Sequence, residues 1–273
     1  MNTTELKRVD LPDGHLAYLD AGSGPPVVLL HGGGLDHRMW DDQVAALAPE
    51  FRVLAVDARG HGWSSTPTAP FRHGDDLAVL LRRLDLGPAA LVGLSMGAST
   101  ALDIAVQHPE LVRAVVVVGA GVGDPTFTDP FVLGIFGELA RAAQARDGAA
   151  WVEAFLRLGV GPHRALDDVA PGVNRRSREM LEHTLADHVG SGDPVLPTPP
   201  PGTADGLPGL AAPVLAIVGD LDSPDHNAMA ERVARTVPNG RLATVPGTAH
   251  YPNMERPAEF DAILLEFLRA HAA

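Results

Sequence analysis

Short, continuous apolar runs recur along the chain at 27–30, 53–56, 89–94, 114–118 and 214–218, bounded by glycine, proline or charged residues. Runs of that length without polar alternation predict strands buried on both faces. A strand over 15–21 precedes them, and one over 241–245 follows. Between runs the apolar spacing turns helical. Leu77, Leu80, Leu81 and Leu84 mark a helix over 75–86 that Gly87-Pro88 stops, and further helices are predicted over 39–48, 227–236 and 257–270. Strand and helix alternating in this way require crossover connections, and so a mostly parallel sheet in an α/β fold.

The alternation breaks between 124 and 209. Helical patterns occupy 131–145, 149–158 and 175–188 without a convincing strand. The stretch then closes with Pro194, Pro197, Pro199, Pro200, Pro201 and Pro208, a proline density typical of a linker. Three parts are therefore predicted: a core over 1–123, a helical insertion with its Pro-rich return over 124–209, and the second part of the core over 210–273.

At the end of the run 89–94 stands Gly93-Leu94-Ser95-Met96-Gly97, followed by small, helix-compatible residues. This is G-x-S-x-G between a strand and a helix, the context in which a serine is raised as a nucleophile on a tight turn. A serine hydroxyl is weakly nucleophilic at neutral pH and needs an oriented base, which in turn needs a carboxylate. Both partners are expected just past strand ends. The run 214–218 leads into Gly219-Asp220-Leu221-Asp222, and 241–245 leads into Pro246-Gly247-Thr248-Ala249-His250. The candidate catalytic residues are Ser95, Asp222 and His250, in the chain order this architecture uses. Asp220 is read as a loop-capping residue, and Asp124 and Asp225 remain alternative acids. For the oxyanion, N–H donors are expected from Met96 and from the His31-Gly32-Gly33-Gly34 loop, with Gly33 the candidate.

The composition adds exclusions. The chain of 273 residues has no cysteine, which rules out disulfides, thiol catalysis and cysteine metal sites. A formal charge of -13 disfavours nucleic acid and anionic membrane surfaces as partners. No signal-peptide core is present at the start, and no run approaches the ~20 apolar residues that span a bilayer. A cytoplasmic protein acting on a small molecule is expected, with no metal or cofactor required; oligomeric state is not readable.

Taken together, His31-Gly32-Gly33-Gly34 with Trp40, Asp57 with Arg59-Gly60-His61-Gly62, Gly93 to Gly97, Gly219 to Asp222, and Gly247 to His250 with Glu255-Arg256-Pro257 resemble the successive signatures of the α/β-hydrolase superfamily. The resemblance implies the α/β-hydrolase fold with an eight-stranded core sheet, the insertion as a cap, and the triad named above. It is similar to the branch holding carboxylesterases, enol-lactonases, C–C bond hydrolases and cofactor-free haloperoxidases. Serine at 95 argues against the aspartate-nucleophile dehalogenases and epoxide hydrolases. The function implied is cleavage of a carboxylic ester or lactone of a small, largely apolar substrate. C–C hydrolysis, a non-hydrolytic cyclisation or elimination, and a ligand receptor are the alternatives. In C–C hydrolases the elbow commonly resembles G-N-S-M-G-G, and Leu94 and Ala98 depart from it; an intact triad argues against a receptor.

For the substrate pocket the candidates are Leu35, Phe127, Phe131, Trp151, Phe155 and Tyr251, with Phe136 and Met96 beside them. Arg157, Arg164, Arg175, Arg176 and Arg178 in the insertion are weighed as partners of a substrate carboxylate. His31, Arg59, His61 and Asp57 are read as loop braces.

Overall fold

The structure is a computed structural model that describes residues 6–119, 122, 127–189, 195–198 and 201–272. Asp124, Pro194, Pro199 and Pro200 lie outside the described residues.

The apolar runs become the strands of one sheet. In chain order these are β1 (Lys7–Leu11), β2 (Gly14–Ala21), β3 (Pro26–Leu30), β4 (Arg52–Val56), β5 (Ala89–Leu94), β6 (Val112–Val118), β7 (Val214–Gly219) and β8 (Gly240–Val245). They lie side by side in the order β1-β2-β4-β3-β5-β6-β7-β8. The β1–β2 and β2–β4 pairings are antiparallel and the other five are parallel. Strand β1 has no counterpart in the apolar pattern. It is an edge strand whose sequence, Lys-Arg-Val-Asp-Leu, buries only Val9 and Leu11.

The helices are α1 (Asp41–Leu47), α2 (His73–Arg83), α3 (Met96–Gln107), α4 (Pro130–Ala145), α5 (Gly148–Val160), α6 (Pro171–His188), α7 (Thr203–Gly206), α8 (Pro224–Thr236), α9 (Pro252–Glu255) and α10 (Pro257–His271). Among the described residues none is long and apolar enough to cross a membrane. The proline-rich return is not wholly irregular, since α7 and a 3-10 turn at Leu207–Gly209 occupy it.

Successive residues of each central strand face opposite ways. Val28, Leu30 and Leu91 join a cluster with Leu77 and Leu81 of α2, Leu102 of α3 and Ala230 of α8. Val27, Leu29 and Val92 join another with Leu47 of α1 and Phe260 and Leu264 of α10. Each fully buried side chain of this kind contributes roughly 1.5–3 kcal/mol.

Helices α4 to α6 all fall between β6 and β7. Val152 and Leu156 of α5 and Met180 and Leu181 of α6 belong to the second core cluster. These two helices are therefore packed into the core, while Val132 and Ile135 of α4 form a small separate cluster with Ala154 and Leu158.

Candidate active site

Strand β5 ends at Leu94 and α3 begins at Met96, so Ser95 is the entire connection. Its backbone lies at φ 52° and ψ −112°, a region that costs a non-glycine residue about 1–3 kcal/mol. The flanking glycines make so tight a turn possible. A Cβ on Gly93 would lie 2.5 Å from Ala98 N, and one on Gly97 would lie 2.8 Å from His31 O. The Ser95 N–H donates to Val118 O at 2.9 Å, which ties the turn to β6.

Two loops at neighbouring strand ends bring up a carboxylate and an imidazole. The Nδ1–H of His250 donates to Asp222 Oδ2 at 2.8 Å, and both residues are buried. Burial pushes the Asp222 carboxyl up, but the facing imidazoles of His250 and His226 and their hydrogen bonds outweigh it and hold the group well below the usual carboxylate range. For His250, burial lowers the basicity more than Asp222 restores it. The resting pair is an ionised Asp222 and a neutral His250, with its Nε2 lone pair free to accept a proton. Asp220 accepts the Gly247 N–H at 2.6 Å and so joins the two loops, the capping role its position suggested. Asp225 instead accepts the N–H groups of Thr128 and Asp129, at 2.7 and 2.8 Å.

The C-terminal end of α5 buttresses both loops. The His250 N–H donates to Gly159 O at 3.3 Å. Gly161, at φ +82°, passes so close that a Cβ there would lie 2.9 Å from the Cβ of Ala249. Beyond it, Arg164 forms a bidentate pair with Glu255 at 2.6 and 3.1 Å, and Glu255 accepts the Ala249 N–H at 2.9 Å.

Ser95, His250, Gly33 and Met96 all line one cavity of about 230 Å³. Among the described residues, neither the Gly33 nor the Met96 N–H donates to a protein acceptor, and Met96 N is at a helix N-terminus, where negative charge is favoured.

Phe127, Phe155 and Tyr251 line the cavity, joined by Phe136, Val122, Leu158 and Met229. Three of the pocket candidates do not. Leu35 is wholly enclosed in the second core cluster. Phe131 packs on the small cluster of Val132 and Ile135. Trp151 sits one layer back, against Phe155 at 4.9 Å between ring centroids and over Gly34. For Phe131 and Trp151 the reason is that aromatic spacing on an insertion helix does not say which face meets the cavity; Leu35 follows the glycine loop after β3 and turns inward into the core.

Among the described residues no arginine lines it either. Arg157 pairs with Glu138, Arg164 with Glu255, Arg175 with Glu179, Arg176 with Asp42 and Arg178 with Glu153. Sequence reasoning also passed over Ser99, Gly119 and His226 at the cavity wall. Of these, His226 carried a legible signal, since it stands four residues beyond Asp222 on a helix start.

The loops beneath the cavity are held by buried polar groups. Asp57 Oδ1 accepts from both N and Nδ1 of His37 at 2.8 Å, and its Oδ2 accepts Trp63 N–H at 2.9 Å. His31 donates from Nδ1 to Gly32 O at 2.8 Å and accepts the Ala58 N–H on Nε2 at 2.9 Å. Arg59 pairs with Asp76 and with Asp13 and lies over Phe71. His61 stacks 5.0 Å from His31. None of the four lines the cavity.

A strained serine between a parallel strand and a helix, with acid and base loops at adjoining strand ends, defines a class as well as a site. A sequence model of the alpha/beta hydrolase fold matches residues 25–257, and the chain belongs to that family. A putative non-heme bromoperoxidase, BpoC, of Mycobacterium tuberculosis is 33% identical to it, over 93% of this chain and 97% of its own. A thermophilic esterase from Thermogutta terrifontis superposes with a TM-score of 0.78 at 26% identity, covering 98% of this chain and 100% of its own. The enol-lactonase from Burkholderia xenovorans LB400 does so at 0.76 and 25% identity, covering 96% and 100%.

Proposed function

We propose that the protein is a serine hydrolase that cleaves a carboxylic ester or lactone whose acyl part is small, uncharged and largely apolar. The observation that carries this is the Nδ1–Oδ2 bond of 2.8 Å between His250 and Asp222, with Ser95, His250 and the unengaged N–H groups of Gly33 and Met96 opening on one cavity. His250 accepts the Ser95 proton as Oγ attacks the carbonyl carbon. The oxyanion takes the two N–H groups, each worth roughly 3–4 kcal/mol in other acyl transferases. His250 then passes its proton to the departing alcohol, and water repeats the sequence on the acyl-enzyme.

The walls support the acyl class. Phe127, Phe136, Phe155, Leu158 and Met229 are apolar, and among the described residues no Arg or Lys faces the cavity. Four insertion residues, Phe127, Phe136, Phe155 and Leu158, are among them, which supports reading that insertion as a cap.

The test is intact mass after exposure to a fluorophosphonate, with Ser95→Ala and His250→Ala beside the parent. One adduct on the parent and none on either variant is expected; an unlabelled parent that is folded sinks the reading. Ester and lactone panels then choose between the two substrate classes.

A further inference from the structure

Asp222 serves two histidines. While His250 holds Oδ2, Nδ1 of His226, in the first turn of α8, meets Oδ1 at 3.0 Å, and the Ser223 N–H donates to the same oxygen at 2.7 Å. An ionised carboxylate only accepts, so both imidazoles carry their proton on Nδ1. The two rings lie 4.3 Å apart, tilted by 31°. His226 is buried, lines the cavity and meets Phe127 edge-on. Among the described residues no other hydrogen bond reaches its side chain.

A carboxylate held by one oxygen can swing about its Cβ–Cγ bond. Holding Oδ1 from α8 as well as from the Ser223 N–H restricts that freedom from a second direction and leaves Oδ2 facing His250. The other side is equally close, since a Cβ on Gly119 would lie 2.9 Å from His250 Nδ1 and 3.4 Å from Asp222 Oδ2. The acid and base thus have one geometry available, as a preorganised site requires. Resting on the serine-hydrolase reading, we propose that His226 is a positioning residue that acts through Asp222, fixing the carboxylate plane and with it the tautomer and tilt of His250.

A packing role and a hydrogen-bonding role respond oppositely to two substitutions. His226→Leu keeps apolar bulk and loses the donor; His226→Asn keeps a donor near the Nδ1 position and loses the ring. The readout is the second-order rate of fluorophosphonate labelling at Ser95, which needs no knowledge of the substrate. His226→Leu is expected to slow labelling about tenfold or more, the scale on which outer partners act on the residues they orient, and His226→Asn to stay within about threefold of the parent. On an Asp222→Asn background the Leu substitution is expected to add little, because both changes act through one bond.

Leu and Asn variants that both label like the parent, or that both slow equally, overturn the proposal. An additive effect in the Asp222→Asn background does so too. Should His226→Leu fail to fold, His226→Phe, which retains a ring without the donor, is read in its place. These outcomes are separable from the failure of the hydrolase reading, in which the parent itself is not labelled.

Discussion

Gly159 gives up its side chain to Tyr251. A Cβ at 159 would lie 3.0 Å from Tyr251 Cδ2 and closer still to Cε2, so the tyrosine ring rests directly on the backbone of α5. Tyr251 follows the candidate base, and the Gly159 carbonyl accepts the His250 N–H. The insertion thereby sets the height of the histidine loop.

Gly159→Ala is therefore expected to cost about 1–3 kcal/mol by overpacking and to slow Ser95 labelling by displacing His250. Thermal melting and labelling rate check the two effects separately. A variant that melts and labels like the parent would show that the loop yields without moving the base.

Arg164 makes the second tie between insertion and loop. Its guanidinium is largely buried against Glu255, which also receives the Ala249 N–H. Arg164→Met leaves that carboxylate without its cation, and breaking a buried pair costs roughly 3–5 kcal/mol. Some exposure of the arginine puts the expectation at the lower end, about 3 kcal/mol by denaturant unfolding. A loss under ~1 kcal/mol would mean that water replaces the guanidinium.

The two ties also mark the limit of what the sequence could convey. The central strands were legible because burial on both faces leaves unbroken apolar runs, and the placement of Ser95, Asp222 and His250 because each follows a strand in a short, glycine-marked local context. Strand β1 was not, because its two inward residues, Val9 and Leu11, are too few to make a pattern. The cavity wall was half legible. Phe127, Phe155 and Tyr251 reach it, whereas Leu35, Phe131 and Trp151 turn into packed clusters. That choice is made by packing of α4 against α5, and of α5 and α6 against the distant His31–Gly34 loop.

The neutral state of His250 has a kinetic signature. Burial lowers its basicity below that of a free imidazole, whose pKa is about 6.5. Protonated His250 cannot take the serine proton. The rate of Ser95 labelling is thus expected to be flat near pH 7.5 and to fall with acid at a midpoint below 6.5. A midpoint above 6.5 would mean that Asp222 dominates over burial.

Stability carries a separate pH term through His73, the first residue of α2, packed edge-on against Phe71. Burial, then His31 and Arg59, push its pKa down to about 4. The unfolded chain takes up this proton near pH 6.5, so the unfolded state binds more protons between pH 6.5 and 4. The contribution is fully present above 6.5 and is lost as the pH falls through that window. Burial also raises Asp103 to about 6, and a raised carboxyl acts with the opposite sign, giving stability back with acid. Whole-protein acid unfolding mixes such terms, so the measurement is a difference. Between pH 7.5 and 5, the parent is expected to lose on the order of 2 kcal/mol more than His73→Gln in urea unfolding. Equal losses in the two proteins would show that His73 titrates in the fold as it does in water.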